Sequence, residues 1–202
     1  MRKLSAAFAE LMALVIGVAL ITGIQAADPM TVKIGERVSD FKLKDYTDKE
    51  HALYDWKGHK AVVIMFIATQ CPVSNAYNVR MVDMAKEYRA KGVAFVAINS
   101  NQKESVAEVA AHARKNNFPF PVLKDQDNSI ADYFKAGVTP ETFLLDADWI
   151  MQYHGAIDNN KDLAKVTSQD LRKALDALLS GRKIEKTETK AFGCAIKRVK
   201  KP

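Results

Sequence analysis

The 202-residue chain has only two cysteines, Cys71 and Cys194, and more than one hundred residues separate them. The histidines His51, His59 and His112 do not follow the spacing of a metal site. The sequence contains no glycine-rich phosphate loop and no Ser-His-Asp arrangement that would define a hydrolase. These absences count against nucleotide binding, serine hydrolysis and a histidine-based metal centre. We therefore expect no metal and no cofactor.

Positive charge is in excess, but it is concentrated at one end of the chain. The 30 basic and 24 acidic residues give a net charge of +6. Residues 181–202 alone carry eight Lys or Arg against Glu185 and Glu188, so the rest of the chain is neutral on balance. A nucleic-acid-binding domain would carry its basic residues on a folded face. The pattern predicts a solvated, basic C-terminal tail (181–202) that contains Cys194, and it predicts no nucleic-acid partner.

The N-terminus has the pattern of an export signal. Arg2 and Lys3 precede an apolar stretch over 11–24, and Ile24-Gln25-Ala26 offers small or aliphatic residues where a signal peptidase cleaves. We predict a signal peptide over 1–26 and an exported protein of the periplasm or cell envelope, without stable membrane insertion after cleavage. The alternative is an uncleaved membrane anchor.

The remaining chain, 27–180, has the length of one domain. Residues 61–68 (AVVIMFIA) are continuously apolar, which predicts a strand buried on both faces. Apolar residues then recur in steps of three and four over 72–88, which predicts one helix, and 93–98 reads as a second buried strand. A strand, a helix and a strand with short links form a parallel unit.

Further elements complete an α/β pattern. Residues 105–116 and 168–180 have helical periodicity, and two short strands around Asp146-Ala147-Asp148 predict an antiparallel hairpin. The segment FPFPVLKD contains Pro119 and Pro121, so we expect an edge strand or a loop there. The prediction is a mixed sheet with helices on both faces.

Cys71 lies where the first buried strand ends and the helix begins. Pro72 suits the first helical position because its missing N–H costs nothing there. Free backbone N–H groups and the helix dipole favour a thiolate, so we expect a lowered pKa for Cys71 and a nucleophilic sulfur. Ser74 is on the same helical face and its hydroxyl can donate to the sulfur. The alternative is a buried, inert cysteine.

Three stretches carry a family resemblance over residues 34–179. They are the segment from IGERVSDF to FIATQCP, the loop GVTPETFLLD with YHGAID after it, and the late segment Gly193-Cys194-Ala195-Ile196-Lys197. Together they resemble exported thioredoxin-fold redoxins of the AhpC/TSA (peroxiredoxin-like) and TlpA-like group. The resemblance implies a thioredoxin-like fold. It also implies a cis peptide at Thr139-Pro140 that faces Cys71 and exposes the backbone of Thr139 to a partner peptide.

The sequence departs from both branches of that group. Gln70 and Ser74 stand where TlpA-like sites have tryptophan and a second cysteine, so a local redox dithiol is absent. Ile64 and Ala68 stand where peroxidatic sites have proline and threonine, and Thr69 is one residue out of register. The second departure counts against a standard peroxidase.

The leading hypothesis is a thiol-disulfide oxidoreductase in which Cys71 is the nucleophile, and Cys194 resolves the intermediate if the tail folds back over the site. Its substrate would be a disulfide-bonded or thiol protein, or a small peroxide, and a thiol compound not yet identified would reduce it. Two cysteines in an exported chain also allow a permanent disulfide that only pins the tail, or pairing between chains. The other functions left open are a thiol peroxidase and a copper carrier. A carrier needs a second soft ligand near Cys71, where Asn75 stands, and only His154 or Cys194 could complete the site.

Overall fold

The computed structural model describes residues 31–201, and the predicted signal peptide (1–26) lies outside the described residues. Residues 31–201 form two sheets and five α-helices. The strands are β1 (Lys42–Asp45), β2 (Glu50–Ala52), β3 (Ala61–Phe66), β4 (Val93–Asn99), β5 (Val122–Lys124), β6 (Val138–Thr139), β7 (Glu141–Asp146), β8 (Met151–Gly155) and β9 (Cys194–Ala195). The helices are α1 (Pro72–Ala76), α2 (Asn78–Arg89), α3 (Val106–Lys115), α4 (Ser129–Tyr133) and α5 (Asp170–Leu179). No helix within residues 31–201 is long and apolar enough to cross a membrane.

The larger sheet has seven strands in the order β2-β1-β5-β4-β3-β7-β8. β3 is central, with β4 parallel on one side and β7 antiparallel on the other. All six residues of β3 are buried, which explains its unbroken apolar sequence. The parallel unit, the hairpin of β7 and β8, and the mixed sheet are confirmed.

Alternate residues of the central strands face two separate apolar clusters. Val63 and Met65 pack on one face with α2, α3 and α5. Val62 and Ile64 pack on the other face with α4 and the N-terminal segment. Because strand side chains alternate between faces, a strand between two layers must be apolar at every position. Helices therefore cover both faces, as the sequence predicts.

The prediction of one continuous helix over 72–88 is wrong, because two helices cover this segment. α1 ends at Ala76, and α2 begins at Asn78 after Tyr77. The N–H of Tyr77 donates to the carbonyl of Ser74 at 3.0 Å, a contact three residues back that tightens the turn. The tighter turn directs the Tyr77 ring into the core, where its hydroxyl donates to Asp158 at 2.8 Å.

The prediction of an edge strand or loop for FPFPVLKD is also wrong. β5 pairs with β4 in parallel and with β1 antiparallel, so it lies inside the sheet. Pro119 and Pro121 both precede the three-residue strand and therefore remove no donor from it. The carbonyl of Pro121 accepts the N–H of Ala97 at 3.0 Å.

The C-terminal segment is not a solvated tail, so that prediction is wrong for residues 182–201. Its basic side chains are exposed, but Ile184 and Ile196 are buried against the domain. Thr187 and Thr189 exchange backbone hydrogen bonds with His154 of β8. The apolar side chains and the backbone of the tail thus bind the domain, and among its exposed basic side chains Arg198 and Lys201 also pair with Asp132.

Candidate active site

Cys71 caps the N-terminus of α1, five residues beyond the last paired residue of β3, and its side chain is 97% removed from solvent. Its sulfur accepts the N–H of Ser74 at 3.3 Å. The same sulfur lies 3.3 Å from the carbonyl oxygen of Thr139. Pro72 is the first residue of the helix, as the sequence predicts. In the reduced protein the Ser74 N–H would stabilise a thiolate at this position.

Ser74 contacts the sulfur through its backbone rather than through its hydroxyl. The Ser74 oxygen accepts the N–H of Ala68 at 3.2 Å. This hydrogen bond links the start of the loop between β3 and α1 to the helix. The Ser74 hydroxyl therefore binds Ala68 rather than the Cys71 sulfur, to which the sequence suggested it could donate. Ser74 is fully buried, so the contact is shielded from water.

Glu104 fixes the backbone of the residues just before Cys71, and the sequence analysis did not identify it. Its carboxylate accepts the N–H groups of Thr69 and Gln70 at 2.8 and 3.1 Å. A third donor is the side-chain amide of Asn99, at 2.5 Å. Glu104 is only 3% exposed, so these bonds satisfy a buried charge. No local spacing marks Glu104 as part of the site, because Thr69 and Gln70 lie 35 and 34 residues earlier in the chain.

Thr69 takes part in the site through its backbone. Its N–H binds Glu104, and its carbonyl accepts the side-chain amide of Asn75 at 3.0 Å. The Thr69 hydroxyl oxygen is buried and has no hydrogen-bond partner among the described residues. The structure therefore shows no hydrogen bond between this hydroxyl and the sulfur of Cys71.

The Thr139-Pro140 peptide bond is cis, and Thr139 faces Cys71, which confirms both expectations. Glu141 fixes the strand that leads into this bond, because its carboxylate accepts the N–H groups of Gly137 and Val138 at 2.7 and 3.1 Å. The second carboxylate oxygen lies 2.6 Å from Nε2 of His154. Glu141 is a further residue that the sequence analysis missed, although its position beside the proline is a usable signal.

Cys71 and Cys194 form a disulfide, with their Cα atoms 5.8 Å apart. The tail reaches Cys71 as a strand: β9 pairs antiparallel with β6, with Cys194 opposite Thr139 and Ala195 opposite Val138. Beside the disulfide lies a groove of about 260 Å³. Its lining consists of Ala68, Gln70, Cys71, Asn101, Lys103, Glu104, Cys194, Ala195 and Lys197.

The side chains considered for a copper site are engaged elsewhere. Asn75 binds the Thr69 carbonyl, and His154 binds Glu141 and stacks on Phe143 with ring centroids 4.3 Å apart. Within residues 31–201, no three His, Cys, Asp or Glu residues are grouped to hold a metal ion.

A mixed sheet with helices on both faces, a Cys-Pro helix start and a cis-proline loop against the sulfur define a thioredoxin-fold redoxin. The sequence profile of the AhpC/TSA family matches residues 34–154, more than half of the chain. The protein belongs to the AhpC/TSA family.

Several named proteins are similar to this chain. Thiol-disulfide oxidoreductase ResA of Geobacillus thermodenitrificans is 29% identical over 115 residues, 57% of this chain and 64% of the relative. Thioredoxin-like protein YneN of Bacillus subtilis is 33% identical over 122 residues, 60% of this chain and 70% of the relative. The crystal structure of a hypothetical protein from Sinorhizobium meliloti 1021 is 33% identical, with a TM-score of 0.79, and covers 85% of this chain and 97% of that one. The chain thus spans slightly less than two thirds of the ResA sequence.

Proposed function

We propose that this protein is a thiol-disulfide oxidoreductase in which Cys71 is the nucleophile and Cys194 resolves the mixed disulfide. One observation carries the proposal: the only two cysteines of the chain are joined at the start of α1, against the carbonyl of Thr139. Ser74, Thr69, Pro72, Thr139 and Pro140 would position the sulfur and the bound partner. The name of the relative ResA supports this class of reaction.

The reductive half of the cycle begins at the disulfide. Cys194 is less buried than Cys71, so a thiolate of the reductant attacks the Cys194 sulfur first. The bond between the two sulfurs breaks, and Cys71 leaves as a thiolate that accepts the Ser74 N–H. A second thiolate of the reductant then displaces Cys194. Two electrons pass from the reductant to the protein, and the reductant becomes a disulfide.

The oxidative half of the cycle uses the sulfur of Cys71. Its thiolate attacks a disulfide of the substrate, one substrate sulfur leaves as a thiolate, and a mixed disulfide forms. The thiolate of Cys194 next attacks the Cys71 sulfur, which releases the second substrate thiol and restores the internal disulfide. Because β9 places residue 194 opposite Thr139, the resolving sulfur returns to a defined position.

We further propose that the protein acts after export, in the periplasm or cell envelope, as a domain over 27–180 with the tail 181–202 bound to it. The apolar pattern of residues 11–24 supports export, and disulfides persist in oxidising compartments. Its partners would be a thiol or disulfide protein as substrate and a separate thiol reductant, without nucleic acid. The N-terminal residue of protein isolated from the envelope tests this: a start near Ala27 is expected, and retention of Met1 in a soluble cytoplasmic fraction would contradict it.

The activity is tested with the reduced wild type, Cys71→Ser and Cys194→Ser. Each protein is mixed with oxidised glutathione and, separately, with hydrogen peroxide. We expect fast exchange with glutathione that Cys71→Ser abolishes, and a Cys194→Ser protein that stops as a mixed disulfide visible by mass spectrometry. Fast, Cys71-dependent consumption of peroxide with slow exchange would instead assign a peroxidase. Tight Cu(I) binding with neither reaction would assign a copper carrier.

Whether the disulfide is catalytic or only structural is tested by the reductant. The oxidised wild type is incubated with a thioredoxin and its reductase, and the free thiols are counted over time. A catalytic disulfide is reduced at a rate compatible with turnover, and it re-forms when the substrate is added. A bond that resists reduction in the folded protein would establish the pinning role and overturn the proposal.

A further inference from the structure

Buried polar residues lie where β4 and β5 end, although both strands are otherwise apolar. Asn99 and Lys124 are the last residues of these two parallel strands, and the register places them side by side. Asn99 is fully buried and Lys124 is 9% exposed. The carboxyl ends of parallel strands share the edge of the sheet at which α/β folds build their sites. A lysine is rarely buried unless its charge is paired, so the partners of Lys124 indicate what it does.

The ammonium group of Lys124 donates in two directions. One N–H of Nζ donates to Oδ1 of Asn99 at 2.7 Å, and another donates to the carbonyl of Asn101 at 2.7 Å. Burial lowers the pKa of Lys124, whereas the charges of three carboxylates raise it, those of Glu104, Asp125 and Glu108. The lysine thus compensates acidic groups in a region from which water is largely excluded.

The first branch of hydrogen bonds leads to the loop before Cys71. Because an ammonium group can only donate, Lys124 fixes the amide oxygen of Asn99 on its own side. The amide nitrogen of Asn99 therefore points the other way, and it donates to the carboxylate of Glu104 at 2.5 Å. That carboxylate accepts the two loop N–H groups, which are those of Thr69 and Gln70. Lys124 thereby orients the group that holds the backbone before the first cysteine.

The second branch leads to the tail after Cys194. The carbonyl of Asn101 accepts from Lys124, and Oδ1 of the same asparagine accepts the N–H of Lys197, the tail N–H group, at 2.8 Å. The N–H of Gln102 donates to the Lys197 carbonyl at 2.8 Å. Asn101 is only 4% exposed, so buried partners fix its position. Lys124 therefore also holds the segment to which the tail is bound.

We propose that Lys124 is a positioning residue for the Cys71–Cys194 disulfide, because one buried side chain holds both the loop before the first cysteine and the segment that binds the tail after the second. The inference rests on the proposed function and adds a residue to it. Two thiols form a disulfide more favourably when both sulfurs are held at the bonding distance, and mobility of either segment lowers their effective concentration. Loss of Lys124 should therefore favour the two free thiols over the disulfide.

The disulfide equilibrium with glutathione tests this inference. Two molecules of reduced glutathione give two electrons to the protein disulfide, which yields two protein thiols and one molecule of oxidised glutathione. Lys124→Met keeps an unbranched side chain and removes the charge and the donors. We expect its equilibrium constant to shift about tenfold towards the free thiols, the effect of losing the hydrogen bonds of one charged group. Lys86→Met, on the exposed face of α2, is the matched control and should leave the constant unchanged.

Exchange of single backbone N–H groups in heavy water, followed by NMR, tests the two branches in the oxidised protein. Asn99→Ala should speed exchange of the loop N–H groups alone, and Asn101→Ala should speed exchange of the tail N–H group alone. Lys124→Met should speed exchange of both, by about threefold or more. The N–H of Ala97, which donates to the carbonyl of Pro121 within the sheet, should exchange at the same rate in every variant.

The outcomes separate this inference from the proposed function. An unchanged equilibrium constant in Lys124→Met overturns the inference, and so does faster exchange in only one branch. Exchange at Ala97 that speeds up by the same factor as in both branches also overturns it, because that result shows a general loss of stability. None of these results removes the thiol-disulfide activity. If glutathione cannot reduce the disulfide, which counts against the proposed function, dithiothreitol replaces it in the same comparison, and the same shift there supports the role of Lys124.

Discussion

Gly193 lies directly against the carbonyl group of Thr139, so close that any side chain at position 193 would overlap that group. The contact brings the tail to the strand that leads into the cis-proline loop, with Cys194 as the next residue. Formation of the disulfide therefore depends on Gly193, a residue that has no side chain and takes no part in the reaction.

Replacement of Gly193 should prevent the disulfide. We expect Gly193→Val to leave both cysteines free in most molecules after air oxidation, because residue 194 can no longer pair with Thr139. The measurement is alkylation without reductant followed by mass spectrometry. Gly137→Ala is the matched control, since an added Cβ there meets nothing within 4 Å. A Gly193→Val protein that is linked as completely as the wild type would contradict the prediction.

Loss of the disulfide should destabilise the fold. Cys71 and Cys194 close a loop with a sequence separation of 123 residues, and a loop of this size contributes about 3 to 5 kcal/mol to the free energy of unfolding. Urea unfolding of the wild type with and without reductant measures the difference. Cys194→Ser should give the same midpoint under both conditions. A reductant effect of the same size in that variant would show that the loss has another origin.

Removal of the Glu104 carboxylate should loosen the loop before Cys71. In Glu104→Ala, the N–H groups of Thr69 and Gln70 lose their buried acceptor, at a cost of about 2 to 4 kcal/mol in unfolding free energy. We also expect slower reaction of Cys71 with a small disulfide. Glu185→Ala is the control, because Glu185 is exposed and should change stability by less than about 1 kcal/mol. Equal losses in both variants would refute a specific role for Glu104.

The stability of the protein should fall in mild acid partly through His112. Burial lowers the pKa of His112 below 6.5. The charge of Lys115 lowers it further, whereas the charge of Glu104 raises it. As pH falls past 6.5, the unfolded chain binds this proton before the folded protein does, so the free energy of unfolding decreases. His112→Gln should lose less stability than the wild type between about pH 7.5 and about pH 5.5. Identical losses in denaturant titrations at the two pH values would contradict the assignment.

Features governed by neighbouring residues could be predicted from the sequence. The apolar run of β3 required a strand covered on both faces, and Cys71-Pro72 marked the start of a helix. The periodic spacing of apolar residues located α3 and α5 to within two residues at either end. The cis peptide at Thr139-Pro140 followed from a family resemblance rather than from the residues themselves.

Features governed by distant partners could not be predicted. The interior position of β5 depends on pairing with β1, some eighty residues earlier, and prolines just outside the strand obscured it. The two loop N–H groups that Glu104 accepts lie more than thirty residues away, so no local pattern identified its role beside Cys71. The charge of the tail suggested a solvated segment. Burial of its two isoleucines and the hydrogen bonds of its backbone instead determine where it lies.

The sequence by itself determined the buried strands β3 and β4, the helices α3 and α5, and which sulfur lies at a helix start, because these depend on local periodicity, burial and capping. Only the tertiary structure decided that the tail crosses the domain and brings Cys194 to Cys71. That outcome depends on shape, since a glycine must meet the Thr139 carbonyl and an isoleucine must reach the core. Contacts between residues so far apart in the chain produce no periodic pattern in the sequence.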